Sequence, residues 1–157
     1  GLQQFQAVSG RSRLHALSRG EQTVTLIDDS YNANPDSVLA AIAVLRDLPG
    51  PRALVLGDMG EVGDQGLAFH LEVLQAALDA DIAHIDVAGD WMDQALKQLP
   101  DSPRLQHWSS VDALAEAGPT RYAQARSVLV KGSRFMRMER VVKVLTETPQ
   151  KGFPHAA

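Results

Sequence analysis

The chain has 157 residues, of which 45% are hydrophobic and 22% charged, with a net charge of −4 and no cysteine. This length suffices for one domain with its own hydrophobic core, and the lack of cysteine excludes disulfides and thiolate zinc sites. The basic residues are scattered, so we expect no nucleic-acid partner. No apolar run approaches the roughly 18 residues of a membrane span, so we expect no membrane partner. Since the first six residues also lack signal-peptide features, we expect a cytoplasmic protein.

The first predicted element is a β-hairpin. A strand near Arg13 to Leu17 is expected to turn at Arg19-Gly20 and to continue into a second strand, Val24 to Ile27. This hairpin would add antiparallel strands to the sheet that the rest of the chain predicts.

From Val24 onward, short apolar runs alternate with amphipathic stretches, which predicts an α/β fold with a Rossmann-like, mostly parallel sheet and helices on both faces. The further strand candidates are Ala53 to Leu56, Ala83 to Val87, Leu105 to His107 and Ser127 to Val130. Apolar residues recur at helical spacing in four sets: Val38, Ala41, Ile42 and Leu45; Leu67, Leu71, Leu74 and Leu78; Met92, Ala95, Leu96 and Leu99; and Met138, Val141, Val142 and Leu145. Turns are expected at Pro49-Gly50-Pro51, at Pro100 with Pro103, and at Gly118-Pro119. Residues 1–150 are predicted to form one domain and residues 151–157 a flexible tail.

The polar run after the Val24 strand is the first candidate site. It reads Asp28-Asp29-Ser30-Tyr31-Asn32-Ala33-Asn34 and leads into a helix that Asn34 can cap and Pro35 can begin. The backbone N–H groups of that first helical turn would point at whatever lies above the sheet edge. The segment therefore predicts either a binding site or an ordinary capped strand-to-helix turn.

Two further polar loops follow later strands. They read Gly57-Asp58-Met59-Gly60-Glu61-Val62-Gly63 and Lys131-Gly132-Ser133-Arg134. Because the carboxyl ends of parallel strands meet at one sheet edge, we expect the loops to form one polar rim, with glycines that adopt positive φ and approach a ligand closely. Such a rim suits a zwitterionic or phosphorylated ligand. Alternatively, Asp58 and Glu61 only cap the following turn, and Lys131 and Arg134 only form surface ion pairs.

The histidines give little reason to expect a catalytic or metal site. His70 is expected to be a helix-face histidine packed beside Leu74, because no second ligand stands at a metal-binding spacing from it. His84 and His107 lie in or beside predicted strands. The sequence also lacks the Gly-x-x-x-x-Gly-Lys-Ser/Thr phosphate loop and the Gly-x-Gly-x-x-Gly dinucleotide motif, so we expect it not to hold a nucleoside triphosphate unaided.

Together, these segments resemble the carboxy-terminal domain of the Mur ligases. The matching segments are Ser9-Gly10-Arg11, the run from Asp28 to Ser37, Gly57 to Gly63 with Phe69-His70, and Val130 to Arg134 followed by Met138-Glu139. They span nearly the whole chain. The Asp-Asp-Ser-Tyr-Asn-Ala-Asn run is the specific signal, and the other segments support it.

The resemblance implies that the chain is the last of three domains in an ATP-dependent ligase of peptidoglycan precursor synthesis. In the family, the first domain holds the UDP-linked substrate, and the central domain carries the phosphate loop, the magnesium ligands and a modified lysine. The polar run and Lys-Gly-Ser-Arg are most similar to the branch that adds D-alanyl-D-alanine to UDP-N-acetylmuramoyl-tripeptide. ATP and Mg²⁺ would then serve the complete enzyme, and this domain alone would be inactive.

The resemblance also implies roles for individual residues. The positions that match the ATP side are Arg11, Asp29, Tyr31, Asn32 and Asn34. The positions that match the loop facing the incoming amine are Lys131, Ser133 and Arg134. Asp58 and Glu61 are expected to hold the substrate's ammonium group, on the basis of their charge and position alone. No residue is assigned a catalytic or metal-binding role.

Two other interpretations stay open. The chain could be the same domain of a sibling Mur ligase that adds another amino acid, or of a folylpolyglutamate synthetase. It could also be a non-catalytic interaction module whose polar rim binds a partner protein. Asp29→Ala and Lys131→Ala are expected to abolish ligation in a complete enzyme and barely to alter folding, whereas in a binding module they would lower partner affinity without an enzymatic defect.

Overall fold

Strands and helices alternate along the part of the chain that the computed structural model describes, residues 12–147. The strands are β1 (Arg13–Arg19), β2 (Gln22–Asp29), β3 (Arg52–Leu56), β4 (His84–Ala88), β5 (Leu105–Trp108) and β6 (Ser127–Lys131). The α-helices are α1 (Pro35–Arg46), α2 (Gly66–Asp79), α3 (Asp90–Leu96), α4 (Val111–Arg121) and α5 (Glu139–Glu147). Short 3₁₀ turns lie at Gly63–Gln65 and Arg134–Met136. None of these helices combines the length and apolar character that a membrane crossing requires.

The strands form one mixed sheet with the order β1-β2-β6-β3-β4-β5. Strand β1 pairs antiparallel with β2, and all other neighbours pair in parallel. Gly20 turns the β1–β2 hairpin with a φ of 61°. The predicted hairpin and the predicted mostly parallel sheet are both confirmed. Because β6 lies between β2 and β3, the carboxyl ends of these three strands are direct neighbours.

Each face of the sheet carries its own hydrophobic core. Leu54 and Leu56 of β3 pack in the core that α1, α2 and α3 cover. Ala53 and Val55, which point the other way, pack in the core under α4 and α5. Burial on both faces explains why the central strands read as continuous apolar runs. Each large aliphatic side chain buried there stabilises the fold by roughly 1.5–3 kcal/mol.

Helix α4 is absent from the sequence predictions, and the turn expected at Gly118-Pro119 is wrong because both residues lie inside this helix. Ser110 caps the helix, since its Oγ accepts a hydrogen bond from the Ala113 backbone N–H at 3.0 Å. A Cβ at Gly118 would lie 3.2 Å from a methyl carbon of Leu145, so this glycine permits close packing of α4 against α5. Pro119 has no backbone N–H, so α4 lacks one helical hydrogen bond in its last turn.

Helix α2 presents a different face to the core from the one that its leucines predict. Of the predicted stripe, only Leu74 is fully buried, and the remaining leucines pack partly buried at the edge of the core. The buried face consists of Gly66, His70, Val73, Leu74 and Ala77. His70 therefore lies inside the protein, beneath the loop that follows β3.

Candidate functional site

The loops after β2, β3 and β6 form one continuous rim at the carboxyl end of the sheet. The Ser133 backbone N–H donates to the Asp58 carbonyl oxygen at 3.0 Å, which joins the β6 loop to the β3 loop. The Gly60 N–H lies 3.4 Å from the Ala33 carbonyl oxygen, which joins the β3 loop to the β2 loop. The polar segments are therefore gathered at one edge, as the parallel strands predict.

The glycines of the rim act mainly through their small size. A Cβ on Gly132 would lie 2.5 Å from the Met138 side chain and 3.3 Å from the backbone of Gly57, so the two loops could not approach so closely with larger residues. Among Gly57, Gly60 and Gly63, only Gly63 adopts a positive φ, of 56°. The expectation of positive φ is thus correct for Gly63 and wrong for Gly57 and Gly60.

Lys131 and Asp29 form a buried ion pair in the middle of the rim. The two residues are register partners on β6 and β2, and the Lys131 Nζ lies 2.8 Å from Asp29 Oδ2. Nζ also donates to the Asn32 carbonyl oxygen at 3.0 Å, and both charged side chains are only 2% exposed. The structure thus pairs Lys131, which was expected to face the amine, with Asp29, which was expected to face ATP. They fix the start of the β2 loop from beneath, so the loss of either side chain is expected to lower stability, contrary to the expectation from the sequence.

Asp58 is buried and holds the start of helix α3. Its carboxylate oxygens accept hydrogen bonds from the backbone N–H groups of Trp91 at 3.0 Å and Met92 at 2.9 Å. Burial raises the pKa of the Asp58 carboxyl, while these two bonds and nearby His70 lower it. Asp58 thus holds a helix start, but that of α3 across the fold rather than the turn that follows it in the sequence, and its side chain is largely inaccessible.

His70 is fully buried on α2 and uses both ring nitrogens. Its Nε2 accepts a hydrogen bond from the Met59 N–H at 2.9 Å, and its Nδ1 donates to the Gly66 carbonyl oxygen at 2.6 Å. These partners fix the tautomer, since a backbone N–H can only donate and a carbonyl can only accept. Burial lowers the pKa of His70. The predicted helix-face position is confirmed, and the hydrogen bond to the rim is an addition that the sequence did not predict.

The exposed part of the rim is organised around Tyr31 and Arg134. The Arg134 guanidinium carbon lies 4.9 Å from the centroid of the Tyr31 ring, which is a cation–π distance. Arg134 Nη1 also lies 3.5 Å from the Tyr31 hydroxyl. This pair separates two open grooves, and both of its members line each groove.

The first groove, which we name the Asn34 groove, has a volume of about 570 Å³. Its lining residues are Tyr31, Asn32, Ala33, Asn34, Pro35, Gly60, Glu61, Val62, Phe69, Ser133, Arg134 and Phe135. Ser133 is only 3% exposed, and its Oγ has no hydrogen-bond partner within residues 12–147. Phe135 is 66% exposed. The groove thus offers a cation, a carboxylate and aromatic surface, and its lining includes the buried Ser133 hydroxyl; such a set suits a small zwitterion with apolar side chains.

The second groove, which we name the Arg13 groove, has a volume of about 640 Å³. Beyond Tyr31 and Arg134, it is lined by Ser12, Arg13, Asp28, Ser30, Arg137 and Glu139. Its arginines make it suitable for a phosphorylated ligand, since a guanidinium can bind phosphate through two parallel hydrogen bonds. In the part of the chain that the structure describes, no group of three or more histidine, aspartate or glutamate residues could hold a metal ion.

The predicted division into an ATP side and an amine side does not follow the grooves. Tyr31, Asn32 and Asn34, expected on the ATP side, line the same groove as Glu61, Ser133 and Arg134, expected on the amine side. The Asn34 side chain also accepts a hydrogen bond from the Ser37 N–H at 2.9 Å and so caps α1. Arg11 lies outside the described residues.

Several residues that line the grooves were assigned no role from the sequence, among them Arg13, Phe69, Phe135 and Arg137. Phe69 lies within a recognised segment, and the other three are close to one: Phe135 and Arg137 follow Lys-Gly-Ser-Arg, and Arg13 is two positions after Arg11. The sequence signal that could have identified Phe135 is an aromatic residue directly after a polar loop.

Comparisons with known proteins give consistent matches. The family model described as "Mur ligase, glutamate ligase domain" matches residues 11–134. The chain is 38% identical over 149 residues to the UDP-N-acetylmuramoyl-tripeptide--D-alanyl-D-alanine ligase of Escherichia coli, covering 94% of this chain and 32% of that protein. It is 32% identical over 139 residues to the Bacillus subtilis protein of the same name, covering 85% and 30% respectively. The chain therefore spans about a third of the length of these curated relatives.

Solved structures share the fold. A crystal structure of MurF from Acinetobacter baumannii superimposes with a TM-score of 0.73 at 29% identity, covering 89% of this chain and 31% of that one. The MurF ligase of Thermotoga maritima, crystallised in complex with ADP, superimposes with a TM-score of 0.69 at 24% identity, covering 91% and 31%. At that lower identity, the Thermotoga structure supports the fold alone.

Proposed function

The chain belongs to the Mur ligases, and we propose that it is the carboxy-terminal domain of a longer ATP-dependent ligase that joins D-alanyl-D-alanine to UDP-N-acetylmuramoyl-tripeptide. The Escherichia coli and Bacillus subtilis relatives are named for this reaction. The structural observation that carries the proposal is the Asn34 groove, which combines groups suited to both ends of a small dipeptide. In the cell, this step would belong to peptidoglycan precursor synthesis in the cytoplasm.

In this proposal, the Asn34 groove holds D-alanyl-D-alanine. Arg134 binds the dipeptide carboxylate, for which a forked guanidinium is well suited. The Ser133 hydroxyl provides a hydrogen bond to the same end, because it has no partner among the described residues. Glu61, an exposed carboxylate that also lines the groove, attracts the ammonium group, and Phe135 with Phe69 contacts the alanine methyl groups.

In the same proposal, the Arg13 groove faces ATP. Arg13 and Arg137 provide positive charge for the phosphates, and Arg11 precedes Arg13 by two residues in the sequence. The shared Tyr31–Arg134 pair then separates the nucleotide from the dipeptide. Asp29 and Lys131 act indirectly, since their ion pair fixes the loop that carries Tyr31.

The described residues do not fit a Mg²⁺ site, because they hold no converging group of metal ligands. The phosphate loop is also absent from the sequence. We therefore assign Mg²⁺, the phosphate loop and the binding of the UDP-linked tripeptide to the part of the longer protein outside this chain. No step of the proposed role of this domain depends on a metal bound to its own residues.

The domain contributes to the reaction by positioning the amine. ATP phosphorylates the tripeptide carboxylate, which gives an acyl phosphate and ADP. The dipeptide ammonium loses one proton to water, its nitrogen attacks the acyl carbon, and the C–O bond to phosphate breaks as the nitrogen loses a second proton to water. Holding the nitrogen against the acyl carbon replaces an encounter in solution, and such orientation can supply several kcal/mol of barrier lowering. Closure over ATP would bring the two grooves to the reacting groups held by the other domains.

An assay of the full-length protein tests this proposal. With ATP, Mg²⁺ and UDP-N-acetylmuramoyl-tripeptide, we expect phosphate release and amide formation with D-alanyl-D-alanine and little with single amino acids. The 157-residue chain alone should show no ligation. Preference for a single amino acid would instead indicate a sibling ligase, and no ligation by the full-length protein would favour an interaction module.

A further inference from the structure

The loop from Gly57 to Val62 forms one wall of the Asn34 groove, although it belongs to no helix or strand. Gly60, Glu61 and Val62 line the groove directly. Glu61 adopts a left-handed backbone with a φ of 55°, which is a strained conformation for a residue with a side chain. Such a conformation persists only where the surrounding structure holds it, so the loop requires an anchor.

His70 provides that anchor from outside the groove. It is fully buried and is not among the residues that line the groove. Its ring is fixed on one side by the Gly66 carbonyl oxygen of its own helix, and on the other it accepts the Met59 N–H. The Trp91 ring stacks on it at a centroid distance of 5.8 Å and an interplanar angle of 17°. The ring therefore has little freedom to move away from the loop.

Burial keeps the acceptor nitrogen of His70 available, because it outweighs the neighbouring carboxylate, which by itself favours the charged ring. Asp58 is the charged group that faces the imidazole, with its Oδ1 at 4.0 Å from Nε2. That carboxylate is already engaged by the N-terminus of α3. Burial lowers the pKa of His70, so the ring is neutral near pH 7 and its Nε2 lone pair accepts the loop N–H.

We propose that His70 is a positioning residue of the Asn34 groove, which as a neutral acceptor fixes Met59 and thereby the wall from Gly60 to Val62 that the amine substrate contacts. The identity of that substrate rests on the proposed function. The hydrogen bond between His70 and the Met59 N–H does not rest on the proposed function, because both groups lie within this chain. His70 acts through the loop and does not touch the substrate.

Two substitutions in the full-length protein test the role of the acceptor. His70→Leu removes it and leaves the Met59 N–H buried without a partner, whereas the side-chain oxygen of His70→Gln can accept the same hydrogen bond. We expect His70→Leu to raise the KM for D-alanyl-D-alanine about tenfold or more, with the KM for ATP changed less than about twofold. His70→Gln should restore the dipeptide KM to within about threefold of the unmodified protein.

Val73→Ala is the matched control. Val73 is fully buried on the same helix, and its truncation lowers stability by leaving a cavity without removing the hydrogen bond to Met59. If Val73→Ala raises the dipeptide KM as much as His70→Leu, or if His70→Gln fails to rescue, the effect is general destabilisation and the proposal is overturned. An equal rise in the KM for ATP would overturn it as well.

Hydrogen exchange on the full-length protein separates this inference from the proposed function. The peptide that contains Met59 should exchange faster in His70→Leu and remain protected in His70→Gln and Val73→Ala. If the unmodified protein does not ligate D-alanyl-D-alanine but this pattern is seen, the proposed function fails and the anchoring role stands. If ligation is seen but exchange at Met59 is unchanged in His70→Leu, the anchoring role fails.

Discussion

The rim consists of two regions with opposite properties. The inner rim, Asp29, Asp58, His70 and Lys131, is buried, and its polar groups bond to other parts of the protein. The outer rim, Tyr31, Glu61, Arg134 and Phe135, is exposed around the two grooves. Apart from Phe135, both regions come from the same recognised sequence segments. A motif therefore does not identify ligand-binding residues by itself, because part of it supports the loops that carry the rest.

The comparison predicts that inner-rim substitutions lower the free energy of unfolding, whereas outer-rim substitutions leave it nearly unchanged and weaken substrate binding. Each of the following substitutions tests that distinction. They are ordered by the expected loss of stability.

Lys131→Met should have the largest effect. It leaves the Asp29 carboxylate buried without its counter-ion, which costs about 3–5 kcal/mol of unfolding free energy. Chemical denaturation of the chain measures this loss. Replacing both partners, in Asp29→Leu with Lys131→Met, should recover much of it, because no uncompensated charge remains. Equal stability of the single variant and the unmodified chain would show that the pair does not support the inner rim.

Asp58→Ala should have the next largest effect, a loss of about 1–3 kcal/mol, because the N–H groups of Trp91 and Met92 lose their acceptor. Asp93→Ala is the control. Asp93 is partly exposed and pairs with Lys97 at 3.1 Å, and solvent screening limits that pair to less than about 1 kcal/mol. Similar losses in the two variants would contradict the assignment of Asp58 as a buried cap.

Acid should weaken the inner rim through His70. Its folded pKa is lowered by burial, so below its unfolded pKa, near 6.5, the unfolded chain binds a proton that the folded chain excludes. Its contribution to stability is complete above that pH and is lost as the pH falls toward the folded pKa, with a slope of at most about 1.4 kcal/mol per pH unit.

Denaturation curves between pH 7 and pH 5.5 measure the slope, and His70→Gln should reduce it. Burial also lowers the pKa of His84, so His84→Gln serves as the comparison. It should remove only the part of the slope that His84 itself contributes. An unchanged slope in His70→Gln would show that His70 titrates alike in the folded and unfolded chains.

Arg134→Ala should have the smallest effect on stability, within about 0.5 kcal/mol, because its side chain is exposed. In the full-length protein, the same substitution should raise the KM for D-alanyl-D-alanine about tenfold or more, and Arg134→Lys should recover only part of the loss. Arg46→Ala, an exposed arginine on α1, provides the control and should change neither quantity. A stable Arg134→Ala enzyme with unchanged KM would remove Arg134 from the proposed dipeptide site.

The sequence predicted the sheet because its signals are local. Buried parallel strands require continuous apolar runs, and Asn34 with Pro35 marks the start of α1 by ordinary capping chemistry. Helix α4 was missed because Gly118 and Pro119 usually mark a turn. Here Gly118 permits contact with Leu145, a residue of another helix, and no local pattern contains that contact.

The gathering of polar loops at one rim could also be predicted, since it follows from parallel strands. The separation into inner and outer rim could not. Lys131 and Asp29 are 102 residues apart, and their pairing depends on β6 lying beside β2. Likewise, the acceptor role of His70 depends on the rotation of α2, which the positions of its leucines did not indicate.

A crystal structure of the full-length protein with D-alanyl-D-alanine bound would test the central claim most directly. We expect the dipeptide in the Asn34 groove, with its carboxylate within hydrogen-bond distance of Arg134 and with the Lys131–Asp29 pair intact. A dipeptide bonded to the Lys131 ammonium or the Asp58 carboxylate, with the inner rim opened to admit it, would contradict the account.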